Sequence, residues 1–87
     1  MIDEEGQKHL HRTLMEGIHN QIRENNPPET EATLERLLAE GFSKNEAMNL
    51  IGHVLAAEIF EVMKYQREYD QEKYVSRLHD LPQLPED

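Results

Sequence analysis

Two ionisable side chains stand where apolar ones are expected. Glu58 belongs to the segment Lys44–Arg67, and on a helix turning about 100° per residue it falls beside Ala47, Ile51, Val54, Leu55 and Val62. An unpaired carboxylate in an apolar core carries a large desolvation cost or takes up a proton. Glu58 is therefore a buried acid or metal ligand, or it reaches a solvated edge, or it is paired with a histidine or arginine. His11 is its counterpart on an earlier segment, sharing the apolar stripe of Leu14 and Ile18. Packing of the two segments would bring His11 and Glu58 into contact. Such a buried polar pair can fix register as well as carry function.

Glu58 and Glu61 form ExxE, which resembles the acidic helices of metal-dependent nucleotide pyrophosphohydrolases and of di-iron bundles. The di-iron arrangement also needs ExxH on paired helices, and this chain has none. A metal-dependent small-molecule hydrolase, with His11, Glu58 and Glu61 as its metal ligands, is thus the alternative reading. The remaining histidines, His9, His19, His53 and His79, give no HExxH and no i, i+4 pair. His9 and His11 diverge by about 200° around a helix and cannot share an ion within it. No serine–histidine–acid order, glycine-rich phosphate loop or nucleophile elbow is present. No catalytic residue and no cofactor is assigned from the sequence.

A different feature carries the leading functional reading. Ala47–Ala57 has no charged residue in a chain that is 31% charged. Opposite its core side, the helix that contains this segment carries Gly52, Ala56, Ala57, Phe60 and Met63. A helix apolar nearly all round is buried all round. Small residues four apart, Gly52 and Ala56, allow another helix to approach closely, though in water this spacing is less diagnostic than in membranes. Asn49, Gly52, His53, Ala56, Phe60 and Met63 are accordingly the expected contact face of a homodimer. The competing reading has this row covered by the fourth helix or by the first turns of the first helix, within one chain.

The elements that position these residues are helices. Leu10, Leu14, Ile18 and Ile22 recur every fourth residue, predicting a first helix over 4–24 whose early acids, Asp3, Glu4 and Glu5, oppose the dipole. Gly17 sits beside that stripe. Asn26-Pro27-Pro28-Glu29 ends it and starts a second helix over 27–40, with Asn26 as cap and Leu34, Leu37 and Leu38 inward. Gly41 is the expected left-handed stop. Ser43-Lys44-Asn45-Glu46 reads as a capping box, with Phe42 stapled to the first turn of a long third helix over 44–67. Asp70 caps a short fourth helix over 71–80, with Tyr74, Val75, Leu78 and Leu81 inward. Pro82 and Pro85 mark 81–87 as an exposed acidic tail. No stretch alternates with the period of a strand. The expected fold class is all-α, a small four-helix bundle in a single domain.

Composition bounds the function classes. The chain has 87 residues and no cysteine, so it has a thin core without disulfides or thiolate metal sites. Oligomerisation is one of the routes by which such chains gain stability. Eighteen acidic residues against nine basic ones give a net charge of −9, which repels phosphate backbones and disfavours nucleic acid. No apolar run approaches the length of a membrane span, and the acidic start, MIDEEGQKH, is unlike a signal peptide. A cytoplasmic location is expected.

PPETEATLERLLAEGFSKNEAMNLIGHVLAAEIFEVM resembles a small bacterial all-helical family of unknown function. The similarity lies in Pro27-Pro28-Glu29, in LERLLAEG and in the EA–IG–VLA–EI pattern of helix three. The resemblance implies histidines at positions matched here by His11, Met15 and Asn49, of which this chain keeps His11. It implies the fold and no activity. The function expected is a self-associating protein-interaction module without catalytic activity.

Overall fold

The computed structural model describes residues 4–85, with side chains from Lys8 onward. The expected roles of Asp3, Glu4 and Glu5 at the first helix start, and of Glu86 and Asp87 in the tail, lie outside what is described. Four helices, α1 (Glu4–Glu24), α2 (Pro28–Ala39), α3 (Lys44–Tyr65) and α4 (Gln71–Asp80), are found among the described residues, and no strand. The fold is an all-α four-helix bundle with long first and third helices.

Local chemistry explains the breaks. Pro27 itself, at φ −79° and ψ 152°, occupies the N-cap of α2, and Pro28 is the first helical residue. Asn26 is one position too early to cap, and no side chain caps this end. The reason is the double proline: Pro28 bars Pro27 from the helical region and holds it extended at ψ 152°, so the helix begins at Pro28. At the other end Gly41 takes φ 104°, and the amides of Gly41 and Phe42 donate to Leu38 O and Leu37 O at 3.1 Å each. This is a Schellman closure. Ser43 and Glu46 then cap α3 reciprocally: the Glu46 amide donates to Ser43 Oγ at 3.1 Å, and the Ser43 amide to Glu46 Oε1 at 2.8 Å. That bond holds the Glu46 carboxyl below its usual range.

The core consists of Ile18, Leu37, Ala47, Met48, Ile51, Val54, Leu55, Tyr74, Leu78 and Leu81. α3 packs on every other helix, and α2 also meets α1 and α4. Two expected core leucines are exposed instead, Leu10 at 39% and Leu38 at 41%. Leu10 lines the open groove between α1 and α3. Leu81 is buried, on the inward side expected of it although it opens the 81–87 stretch expected as an exposed tail, and Arg36 of α2 donates to Leu81 O at 2.9 Å and to Leu78 O at 3.1 Å. The guanidinium thereby gives Leu81 O a donor beyond the end of α4 and adds a second donor to Leu78 O, which also accepts from the Leu81 amide.

Candidate functional site

Glu58 has no solvent exposure, and it is not an orphan. α3 stops at Tyr65 because Gln66 turns left-handed at φ 53°, which sends the chain back along the helix it has just left. Arg67 then lays its guanidinium across both carboxylate oxygens of Glu58, Nη1 to Oε2 at 2.7 Å and Nη2 to Oε1 at 2.8 Å. The Asp70 amide donates to Glu58 Oε2 at 2.8 Å. Asp70, in turn, caps α4 by accepting from the Lys73 amide at 3.1 Å. One buried carboxylate thus gathers the end of α3, the connecting turn and the start of α4.

Glu61, one turn further along, extends the cluster. It accepts from Lys73 Nζ at 2.5 Å, from Arg77 Nη2, and from Arg67 Nη2 at 3.4 Å. Arg77 Nη1 lies 3.9 Å from Glu58 Oε1 and is buried without a hydrogen-bond partner among the described residues. The Arg67 hydrogen bonds lower the Glu58 carboxyl below the usual range against the opposing effect of burial. Hydrogen bonds from Lys73 and Arg77 bring Glu61 down to about 2. The same Glu58 bond raises the Arg67 guanidinium. Both carboxylates are therefore held ionised, which is opposite to what a general acid requires.

The expected His11–Glu58 pair is not formed. His11 is exposed on α1 and faces a groove, whereas Glu58 is enclosed by the α3–α4 turn and bonds to Arg67 and Asp70. His11 is likewise separated from Glu61, whose partners are Arg67, Lys73 and Arg77. Among the described residues no group of three histidine or acidic side chains is placed to hold a metal ion. Arg67 was missed by periodicity because it acts from beyond the helix end, where helical spacing no longer relates positions. Arg77 and Lys73 were missed because only the α3–α4 packing brings them to Glu61.

The other candidate face is an open groove between α1 and α3, of about 460 Å³. Its α1 wall is Leu10, His11, Leu14 and Met15, and its α3 wall is Asn49, Gly52, His53, Ala56 and Phe60. Gly52 is buried within the chain: a Cβ there would lie 2.8 Å from Met15 Cε and 3.7 Å from Ile18 Cδ1. Its smallness thus serves the α1–α3 approach, and Gly52 drops out of the expected dimer face. Asn49 and His53 are exposed and Ala56 is half-buried. Phe60 and Met63 are open to solvent at 61% and 69%, with Ile59 beside them at 42%. Within one chain, then, α3 keeps one side bare, through Asn49 and His53 in its first half and through Ile59, Phe60 and Met63 in its second. The α1 wall was missed because sequence spacing says which residues share a face, not which helix stands opposite.

No family model matches the chain, and no curated protein or solved structure does either.

Proposed function

We propose that this protein is a non-catalytic module that acts by self-association, with the uncovered side of α3 as its contact surface. The observation that carries this reading is the exposure of Ile59, Phe60 and Met63 together on one helix. Scattered single apolar residues are ordinary, whereas adjoining large ones next to an apolar groove mark interaction sites. Burying side chains of the size of Phe60 and Met63 stabilises by about 1.5–3 kcal/mol each. No carboxylate lines the groove although the chain carries a net charge of −9, so two copies can meet there without opposing like charges.

The hydrolase reading gains no support from this geometry, because cations and an amide already occupy the oxygens of Glu58 and Glu61. The acidic surface argues against a nucleic-acid partner. No helix is long and apolar enough to cross a membrane among the described residues. A cytoplasmic setting suits a chain without cysteine.

Light scattering on a dilution series tests the proposal. The wild-type chain is expected to scatter as a dimer at micromolar concentration and Phe60→Glu as a monomer with unchanged helix content. A wild-type mass of one chain throughout that range would sink it.

A further inference from the structure

The face that exposes Phe60 also contains the groove that could receive it, and this fixes how two copies would meet. Among the exposed or half-buried residues of α3, Asn49, His53, Ala56, Phe60 and Met63 follow one another in alternating steps of four and three along one side. That is the spacing of a helix–helix seam. The first half of the seam is its concave part, because Asn49 and His53 border the open groove toward α1, with Met15 seated on Gly52 at its floor. The second half is convex, because Phe60 and Met63 project into solvent. Knob and hole are eight residues apart on one helix, about 12 Å.

A surface carrying a knob and a hole on one line is self-complementary about a two-fold axis between them. We infer that two copies pair α3 against α3 antiparallel, with the axis at Ala56, so that Phe60 of each copy fills the groove between α1 and α3 of the other. In that register Met63 meets Asn49 across the interface, and Ala56 meets its own copy at the closest approach of the helices. A parallel pairing would instead set Phe60 on Phe60 and leave both grooves open.

The charge pattern agrees with a second copy as occupant, since the seam residues are asparagine, histidine, alanine, phenylalanine and methionine, and no carboxylate lines the groove that would receive the partner's Phe60.

This inference rests on the self-association proposed above, and cross-linking separates the two. The chain has no cysteine, so single cysteines report register directly. Under mild oxidation Ala56→Cys should give a disulfide-linked dimer, and an equimolar mixture of Asn49→Cys and Met63→Cys should link to each other. Met63→Cys alone should stay uncrosslinked. Efficient linking of Met63→Cys to itself, in variants that light scattering shows to be dimers, would overturn the antiparallel register and leave self-association standing. Dimers in which no seam cysteine links would overturn the seam itself. A monomeric wild-type chain would end both.

Discussion

Arg67 follows Glu58 by nine residues in sequence, yet its two Nη atoms donate to both oxygens of that buried carboxylate, at 2.7 and 2.8 Å. The pair is formed by a residue beyond the end of α3 folding back onto the helix, and Gln66 at φ 53° supplies the reversal. A buried ion pair of this kind contributes little net stability over an apolar equivalent, but breaking it from one side is costly.

Arg67→Ala removes the main partner of Glu58 and leaves an ionised group with no exposure. Because the Asp70 amide remains and Arg77 Nη1 stands 3.9 Å away, the loss should fall at the lower end of the usual range, about 3 kcal/mol. Adding Glu58→Leu to that variant should recover most of the loss. Urea unfolding of both variants checks this, and a double variant no more stable than Arg67→Ala alone would count against the pairing.

Acid should destabilise the chain through these same carboxylates. Glu58 and Glu61 have folded values below the ordinary carboxylate value of 4.5, Glu61 at about 2. A depressed group stabilises the fold fully above its unfolded value, and the contribution disappears as pH falls through the folded value. Stability should therefore decline between about pH 4.5 and 2. Glu61→Gln should flatten that slope without changing the behaviour above pH 5. Unfolding free energy measured across the range decides it.

Gln21 accepts two buried hydroxyls at one oxygen, Thr30 Oγ1 and Tyr74 Oη, each at 2.8 Å. Tyr74→Phe deletes one donor and leaves Gln21 still bonded, at a cost of about 1 kcal/mol. Gln21→Leu strands both hydroxyls and should cost more, about 2–3 kcal/mol. Equal losses in thermal or urea unfolding would show that the shared oxygen is not what holds α1, α2 and α4 together here.

Arg36 joins α2 to the end of α4 through Leu78 O and Leu81 O. Arg36→Leu should remove about 1.5–3 kcal/mol of charged hydrogen bonding, and amide exchange near Leu81 should quicken first. Lysine should not substitute, because one ammonium cannot match the two-pronged fork. A lysine variant with wild-type exchange would argue for charge alone.

Much of this molecule is local and was therefore readable. Four helices, the Ser43–Glu46 box, the Gly41 stop and the Asp70 cap depend on interactions within a turn or two, so residue type and spacing suffice. The double proline misled by one residue because either proline alone could have opened α2. Glu58 was visible as a misplaced charge, and arginine was among its expected partners, but the choice of Arg67 over His11 was not. Pairing across elements depends on where a chain goes after a helix ends, and one left-handed residue decided that. The same reason governs Gly52. Its small size was written in the chain, whereas its role as the seat for Met15 exists only once α1 lies against α3. Periodicity names the residues on a face, and only the packing of helices determines what that face meets.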